Sequence, residues 1–236
     1  MSASLSISET FVSIQGEGKL TGVPSWFCRV SGCNLRCTWC DTPYASWAPE
    51  KTTRTVDELV DEAIASGVGH AVLTGGEPMM FAEVAGLSER LSKSGMHITV
   101  ETAGTLVLPG LVCNLMSLSP KLANSTPTDD PRDASGAWAK RHEERRLDFD
   151  AINELIASTR DRQLKFVVSS REDLPEIESV LSNIRGYAPS DVMLMPEGVT
   201  VPDPQSIAWV VEECVSRGWS YCPRVHVQLF GDTRGT

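Results

Sequence analysis

Short apolar strands alternate with amphipathic helices along most of this 236-residue chain. Residues 70–74 form an apolar run that ends in a Gly-Gly turn, and a helical pattern follows over residues 81–94. The same order continues through predicted strands at 97–101, 163–169 and 192–195 and predicted helices at 147–158, 174–184 and 205–217. Strands connected through helices lie parallel in a single sheet. The pattern therefore predicts an α/β fold.

Two stretches depart from this alternation. The connection to a predicted strand at 111–118 is short and contains Pro109-Gly110, so one helix of the pattern is missing or reduced. Residues 125–146, which we call the insertion, are rich in Ser, Thr, Asp and Pro and end in a charged run. We expect a solvated helix face for the charged run, and a lid or a contact with a second subunit for the insertion.

The remaining elements complete one predicted domain. Residues 25–30 are expected to form the first strand, and residues 225–230 the last strand. A helix after Thr55 begins with a capping box to Glu58. Since we find no repeat or linker, we expect residues 1–236 to form a single domain.

Three cysteines, Cys33, Cys37 and Cys40, have the spacing C-x3-C-x2-C directly after the strand at 25–30. A structural zinc site usually takes four ligands from two pairs, and no second Cys or His pair follows. Three thiolates instead suit a 4Fe–4S cluster with one iron that lacks a protein ligand. That iron can bind a small molecule, as open positions do in catalytic metal sites. A partial zinc knuckle or chance clustering is the alternative interpretation.

The composition limits the compartment and the partners. A net charge of −10 argues against a basic nucleic-acid surface. No apolar run reaches the length of a membrane span, and the first residues lack the features of a signal peptide. Seven cysteines without an export signal favour a reducing compartment. We expect a cytoplasmic protein. Cys28, Cys113, Cys214 and Cys222 look like small buried apolar residues, and no role is assigned to them.

Other unusual residues lie beside predicted strand ends. Residues 13–18 (Ser-Ile-Gln-Gly-Glu-Gly) place two glycines around a carboxylate, which is typical of a tight bend. Gly75-Gly76 lets backbone groups approach a ligand, and Glu77 adds an acceptor suited to an ammonium group. Arg29 interrupts an apolar strand; it is either an ordinary surface residue or a bidentate partner for a carboxylate. Because ligands bind at the carboxyl ends of parallel strands, we expect these residues to meet there.

The cysteine loop, with Trp39 before its third cysteine, resembles that of the radical S-adenosylmethionine (SAM) enzymes. In that family the open iron of the cluster binds SAM, and reductive cleavage of SAM gives a 5′-deoxyadenosyl radical. Residues 75–78 (Gly-Gly-Glu-Pro) look like the motif of that family that holds the methionine amino group. The resemblance implies an incomplete (β/α) barrel of the radical SAM type with reduced helices.

Nearly the whole chain also resembles one family of radical SAM enzymes, the 7-carboxy-7-deazaguanine synthases of queuosine and 7-deazapurine biosynthesis. The matching segments are residues 13–18, 29–42, 74–78, 101–105, 119–123, 164–168, 195–198 and 227–231, and the insertion carries little of the match. The resemblance implies a lyase that converts 6-carboxy-5,6,7,8-tetrahydropterin to 7-carboxy-7-deazaguanine with loss of ammonia. It also implies a homodimer and a low-potential electron donor such as flavodoxin or ferredoxin.

The same resemblance implies a role for each site residue. Cys33, Cys37 and Cys40 would bind the 4Fe–4S cluster, and the Thr42 hydroxyl would bind Mg²⁺. The residues expected to contact SAM are Trp39, Cys40, Asp41, Gly76, Ser119, Pro120 and Lys121. The residues expected to bind the pterin substrate are Ile14, Gln15, Gly16, Arg29, Thr74 and Thr236.

Two other functions stay open at this point. An activating enzyme that generates glycyl radicals in a partner protein has the same cysteine loop, but it needs neither residues 13–18 nor a pterin pocket. A non-enzymatic iron–sulfur or zinc-binding module is the second. Zinc, or a cluster that does not respond to SAM, would support the module.

Overall fold

A computed structural model describes residues 3–236, and one nine-stranded sheet forms its frame. The strands are β1 (Ser4–Ile14), β2 (Pro24–Val30), β3 (Thr52–Thr55), β4 (His70–Gly75), β5 (His97–Thr102), β6 (Leu115–Leu118), β7 (Asp161–Val168), β8 (Val192–Pro196) and β9 (Ser220–Tyr221). Their order in the sheet is β3-β1-β2-β4-β5-β6-β7-β8-β9.

Seven α-helices accompany these strands in the described part of the chain. They are α1 (Val56–Ala65), α2 (Glu83–Lys93), α3 (Ala137–Arg145), α4 (Phe149–Ser158), α5 (Leu174–Ser182), α6 (Pro204–Arg217) and α7 (Val225–Phe230). The predicted capping box begins α1, because Thr55 Oγ1 accepts from the Glu58 N–H while Glu58 Oε2 accepts from the Thr55 N–H. Since α6, the longest helix, has 14 residues, no helix within residues 3–236 could cross a membrane.

The sheet is parallel from β2 through β4 to β9, and β1 and β3 extend it in antiparallel pairing. Within residues 3–236 the edge strands β3 and β9 do not pair, so the sheet stays open. Residues 103–114, all of which are described, contain no α-helix, as the short connection predicted. The α/β class and the incomplete (β/α) barrel with reduced helices are therefore confirmed.

The core lies between the sheet and its helices. Trp26 of β2, Ile98 of β5 and Phe166 of β7 have no exposed surface, and neither do Leu59 of α1 and Leu87 of α2. Burial of such side chains contributes about 2–3 kcal/mol each relative to an exposed position. This packing fixes the carboxyl ends of the parallel strands along a common edge.

The last predicted strand is wrong, because residues 225–230 form helix α7. The peptide N–H of Val225 donates to the Gly16 carbonyl at 2.9 Å, which docks the start of this helix on the bend at 13–18. The alternation of Val225, Val227 and Leu229 imitates a strand, but only Val227 is buried and Leu229 is 60% exposed. The strand that was expected to be the first is the second strand of the structure, because residues 4–14 form β1 ahead of it.

The insertion is irregular until α3, which contains most of the charged run. Its helical conformation agrees with the expectation, but its face is not wholly solvated. His142 is completely buried and Arg146 is 9% exposed, whereas Lys140 and Glu144 lie in solvent. The helix is therefore held by contacts to the rest of the protein.

Candidate active site

A cavity of about 530 Å³ opens where β4, β5, β6, β7 and β8 end. Small-molecule sites commonly have volumes of about 300–1,000 Å³. The cysteine loop forms one wall, and the bend at 13–18 with the C-terminal segment forms another. The cavity therefore lies where parallel α/β folds place their ligands.

All but one of the predicted site residues line this cavity. They are Ile14, Gln15, Gly16, Arg29, Cys33, Cys37, Trp39, Cys40, Asp41, Thr42, Thr74, Gly76, Ser119, Lys121 and Thr236. Pro120 is the exception and is buried behind the wall. The fold thus brings together residues that are more than two hundred positions apart in the chain, while the role of each stays a prediction.

The three cysteines of the loop are free thiols in one cavity. Burial raises the pKa of Cys33 and of Cys37 to about 12, so a metal that binds the thiolates must displace protons. Within residues 3–236, no three His, Cys, Asp or Glu side chains are grouped to hold a single metal ion. A 4Fe–4S cluster is a larger group that is held by separate cysteine thiolates, and three thiols on one loop fit it.

The Gly-Gly turn after β4 lies against the backbone that leads into the cysteine loop. The peptide N–H of Gly76 donates to the Val30 carbonyl at 3.1 Å, and that of Glu77 donates to the Gly32 carbonyl at 2.9 Å. These bonds connect the end of β4 to the residues that precede Cys33. The approach of this turn to a ligand stays a prediction, and the structure adds its close approach to the backbone before the cysteine loop.

Glu77 differs from its expected role as an acceptor for an ammonium group. Its carboxylate has no exposed surface, and it does not line the cavity in the described structure. It accepts from the Met79 N–H at 3.0 Å, the Thr102 hydroxyl at 2.8 Å and the Ala103 N–H at 2.9 Å. Burial raises its pKa against the effect of these bonds. Glu77 therefore ties the end of β4 to the end of β5.

Arg29 lines the cavity, and its guanidinium is held by a carboxylate of the neighbouring strand β1. Its Nε donates to Glu9 Oε1 at 2.7 Å, and Glu9 also accepts from Tyr44 Oη at 2.7 Å and Arg234 Nε at 3.0 Å. Neither Nη atom of Arg29 hydrogen-bonds to any residue between 3 and 236. The guanidinium is thus oriented through Nε, and its two terminal nitrogens have no hydrogen-bond partner among the described residues.

A buried charge network that the sequence analysis did not assign lies on the cavity wall. Lys165 of β7, 7% exposed, forms an ion pair with Glu17 and lies 3.7 Å from Glu101. The Thr74 hydroxyl donates to Glu101 at 2.9 Å, and Arg224 lies 3.2 Å from Glu17. Burial alone would raise the pKa of Glu17, but Lys165 and Arg224 outweigh it and lower the pKa to about 2. Glu17 is therefore a carboxylate at neutral pH.

The signal for this network was present in the sequence. Lys165 interrupts the otherwise apolar run of β7, and a lysine is almost never buried there without partners. Glu17 lies in the bend at 13–18, of which the family resemblance implies a role only for Ile14, Gln15 and Gly16. His226 lines the cavity beside Gly16, and the strand predicted for residues 225–230 gave no reason to place it there.

The residues expected to contact SAM form another part of the wall. Lys121 Nζ donates to Ser119 Oγ at 2.8 Å and lies 5.4 Å from the centre of the Trp39 ring. Asp41 accepts from Arg224 at 3.2 Å. The Thr42 hydroxyl lies 3.8 Å from the sulfur of Cys40. A cation, an anion and hydroxyl groups thus surround the cysteine loop.

The fold and the cysteine loop agree with a known family model. A model described as the Radical SAM superfamily matches residues 28–171, which include the loop, the Gly-Gly turn and four of the five strands whose ends border the cavity, β4 to β7. The fold and site therefore define a radical SAM protein, a class that uses a 4Fe–4S cluster and SAM.

Comparison with curated relatives identifies the family of the chain within the radical SAM class. The chain is 49% identical over 237 residues to the 7-carboxy-7-deazaguanine synthase of Rhodopirellula baltica, covering 99% of this chain and 90% of that protein. It is 45% identical to the enzyme of that name from Halobacterium salinarum, over 98% of this chain and 93% of the relative. The chain belongs to the 7-carboxy-7-deazaguanine synthase family. These relatives favour neither an activating enzyme for glycyl radicals nor a metal-binding module.

A solved structure shows the same fold at lower sequence identity. The crystal structure of QueE from Escherichia coli superimposes with a TM-score of 0.69 at 23% identity, covering 94% of this chain and 95% of that one. A structure of Streptococcus suis SuiB bound to S-adenosylmethionine matches 80% of this chain and 47% of its own length, with a TM-score of 0.52 and 13% identity. Both likenesses support the open α/β architecture.

Proposed function

We propose that this chain is a lyase that converts 6-carboxy-5,6,7,8-tetrahydropterin to 7-carboxy-7-deazaguanine with loss of ammonia, a step of queuosine and 7-deazapurine biosynthesis. One observation carries the proposal. The cysteine loop, Arg29 and the Glu17–Lys165 pair border the same cavity, in a chain almost half identical to such synthases over nearly its full length. The residues that would bind the cluster and those that would recognise a charged, polar heterocycle would thus belong to a single site.

The residues that line the cavity include side chains suited to binding the cluster and SAM. Cys33, Cys37 and Cys40 would hold the cluster, and Trp39, Asp41, Gly76, Ser119 and Lys121 would hold SAM. When bound, the cluster and SAM supply a carbon-centred radical that abstracts a hydrogen atom from the substrate. The protein supplies orientation and excludes water from the reacting centre.

The cavity wall carries a positively charged side chain that suits the carboxylate of the pterin and negatively charged side chains that suit its N–H groups. The free Nη atoms of Arg29 would take the substrate carboxylate as a bidentate pair. The carboxylates of Glu17 and Glu101 would accept from N–H groups of the heterocycle, and Lys165, the ion-pair partner of Glu17, lies 3.7 Å from Glu101. Thr74 would fix Glu101 through its hydroxyl. Ile14, Gln15, Gly16 and Thr236 would complete the pocket around the substrate.

Mg²⁺ is the third proposed cofactor, with the hydroxyl of Thr42 as its protein ligand. Mg²⁺ prefers oxygen ligands and usually keeps several waters, so a single hydroxyl together with the substrate carboxylate would suffice. The ion would orient that carboxylate and stabilise negative charge. Activity that is lost on chelation, restored by Mg²⁺ and reduced in Thr42→Val would support this ligand. Equal Mg²⁺ dependence in Thr42→Val and the parent would exclude it.

We further propose a homodimer that receives electrons from a low-potential protein such as a flavodoxin or a ferredoxin, in the cytoplasm. Sedimentation equilibrium would measure the oligomer. Reduction of the cluster by each candidate donor would be followed by its electron paramagnetic resonance (EPR) signal. A monomer, or a cluster that neither donor reduces, would contradict the corresponding part of the proposal.

The reaction itself is tested by mass spectrometry under anaerobic conditions. Reconstituted protein would receive SAM, Mg²⁺, a low-potential reductant and 6-carboxytetrahydropterin, with a reaction lacking SAM as the control. We expect 7-carboxy-7-deazaguanine only in the complete reaction. Deoxyadenosine without that product would point to another substrate of a radical SAM enzyme. Neither species, from protein with an intact cluster, would overturn the proposed reaction.

A further inference from the structure

The insertion lies against the cysteine loop and not in the wall of the cavity. No residue of the insertion, which the structure describes in full, lines that cavity. Several of its hydrogen bonds are instead to residues 36–38, whose middle member is the predicted ligand Cys37. The expected role as a lid therefore has no support in this conformation, and the contacts point to a different role.

His142 of α3 makes the most buried of these contacts. Its side chain has no exposed surface, and its Nδ1 accepts from the peptide N–H of Arg36 at 3.1 Å. Because a peptide nitrogen can only donate, Nδ1 carries no proton, and Nε2 therefore donates to Ser125 Oγ at 2.8 Å. Ser125 Oγ in turn donates to the Leu122 carbonyl at 2.6 Å. One neutral histidine thus connects α3, the start of the insertion and the residue before Cys37.

Thr38, on the other side of Cys37, is held by the insertion at three points. Its peptide N–H donates to the Ser125 carbonyl at 2.9 Å. Its hydroxyl donates to Asp130 Oδ2 at 3.2 Å, and its carbonyl accepts from Arg132 Nη2 at 2.7 Å. Asp130 and Arg132 also form an ion pair at 2.6 Å. Both peptide N–H groups that flank Cys37 in the chain, those of Arg36 and Thr38, are therefore engaged by the insertion.

Two arginine–tryptophan contacts flank these hydrogen bonds. The guanidinium of Arg36 lies 4.0 Å from the ring centre of Trp138, and that of Arg132 lies 4.2 Å from the ring centre of Trp47. Trp47 Nε1 donates to the Cys37 carbonyl at 2.9 Å. In each stack one partner comes from the insertion and the other from residues 36–47. Cation–π pairs contribute about 0.5–2 kcal/mol each, so the stacks reinforce the hydrogen bonds.

We propose that the insertion braces the cysteine loop, with His142 as a positioning residue that acts through the Arg36 peptide N–H on Cys37. The inference rests on the family assignment of the three cysteines and not on the identity of the substrate. A loop that is ordered before iron arrives loses less conformational entropy when the cluster binds. Hydrogen bonds to cluster sulfurs raise the reduction potential because they stabilise the more negative, reduced cluster, and the brace keeps two nearby N–H groups occupied elsewhere.

Hydrogen exchange on the metal-free protein tests the brace without any catalysis. His142→Ala removes the acceptor, whereas His142→Asn keeps a side-chain oxygen that can accept from Arg36. Glu144→Ala, an exposed change on the same helix, is the matched control. We expect exchange of residues 34–40 to become at least 10-fold faster in His142→Ala, to recover most of its protection in His142→Asn, and to stay unchanged in Glu144→Ala. Unchanged exchange in His142→Ala would overturn the proposal.

The reconstituted proteins give a second, spectroscopic reading. We expect His142→Ala to bind the cluster with an altered EPR spectrum and a more positive midpoint potential, because the Arg36 N–H becomes available to sulfur. His142→Asn should retain the parental potential. Equal potentials in His142→Ala and the parent would overturn the positioning role.

A change on the loop side covers the case in which His142→Ala does not fold. Thr38→Val removes the hydroxyl that donates to Asp130 and leaves α3 intact. We expect faster exchange of residues 34–40 in this variant also, and parental exchange would contradict the brace. Because exchange and potential are measured without the pterin, a failure of the proposed reaction would leave both results interpretable.

Discussion

Gly76 packs so closely on Gly32 that a Cβ atom at position 76 would lie 1.9 Å from the Gly32 carbonyl oxygen. The same oxygen accepts the peptide N–H of Glu77 at 2.9 Å. Gly32 directly precedes the first predicted cluster ligand, so the Gly-Gly turn and the cysteine loop share a backbone contact that only glycine permits. The turn therefore supports the position of the loop, in addition to any contact with SAM.

We predict that Gly76→Ala separates the turn from the cysteine loop. The added methyl group meets backbone atoms that cannot rotate away, which is expected to cost about 1–3 kcal/mol of unfolding free energy. Urea unfolding of the metal-free protein and iron content after reconstitution measure the two effects, and both should fall. Gly86→Ala on α2 is the control, because nothing lies within 4 Å of its added methyl group. Equal stability and iron content in the two variants would contradict the prediction.

The ion pair of Glu17 with Lys165 predicts a loss of stability in acid. The pKa of Glu17 is about 2 in the folded protein, against an ordinary value of 4.5. Because folding lowers this pKa, the stabilisation is fully present above pH 4.5 and is lost as the pH falls towards 2. Glu17→Gln should lack this pH dependence and should lose about 3 kcal/mol at pH 7, since Lys165 stays buried with a weaker partner.

Urea midpoints of the parent and Glu17→Gln between pH 7 and pH 2.5 measure this difference. Subtracting the two curves removes the contribution of the other carboxylates. Glu89→Gln is the control, because Glu89 and its partner Lys93 are both more than half exposed and such pairs contribute about 0–1 kcal/mol. A constant difference between parent and Glu17→Gln over this range would show that the ion pair does not set the acid response.

Those segments of the site that are continuous in sequence could be predicted, because each depends mainly on neighbouring residues. The cysteine spacing, the Gly-Gly turn and the strands before them are continuous segments, and parallel strands place their carboxyl ends together. Residue types that are rare in apolar strands also carry information, as Arg29 did. The place of the cavity follows from these local rules, whereas the assignment of most wall residues, such as Ser119 and Lys121, follows only from the family resemblance.

The contacts between distant segments could not be predicted in this way. Lys165 and Glu17 are 148 residues apart, and His142 lies 106 residues from Arg36. His142 belongs to a charged run that is typical of an exposed helix, and only the docking of α3 on the cysteine loop buries it. The valines of α7 alternate as in a strand, but the bond from Val225 to Gly16 fixes a helix there. Tertiary packing overrides the local pattern in both cases.

Cys37→Ala is predicted to abolish cluster binding, because two remaining cysteines on the loop cannot hold the cluster stably. Iron and sulfide content, the visible absorption band and SAM cleavage measure the loss. Cys28→Ala is the matched control: Cys28 is 1% exposed in β2, and it does not line the cavity. That variant should keep the cluster and lose only some stability. Retained SAM cleavage in Cys37→Ala would exclude Cys37 as a ligand.

Arg29→Ala is predicted to weaken substrate binding and to leave the cluster intact. The variant removes the two Nη donors, and hydrogen bonds to charged groups contribute about 1.5–3 kcal/mol, which corresponds to about a 10- to 150-fold loss of affinity. Glu9 keeps Tyr44 and Arg234 as partners, so the local structure is retained. Anaerobic calorimetry with 6-carboxytetrahydropterin measures the affinity, and iron content checks the cluster.

Two further variants separate the geometry of Arg29 from its charge. Arg29→Lys keeps the charge but loses the planar pair of donors, so its affinity should lie between those of Arg29→Ala and the parent. Arg54→Ala removes an arginine that pairs with Glu62 and does not line the cavity, and it should bind the substrate as the parent does. Full affinity in Arg29→Ala would exclude Arg29 from substrate binding. Full affinity in Arg29→Lys alone would show that charge, and not the bidentate geometry, holds the carboxylate.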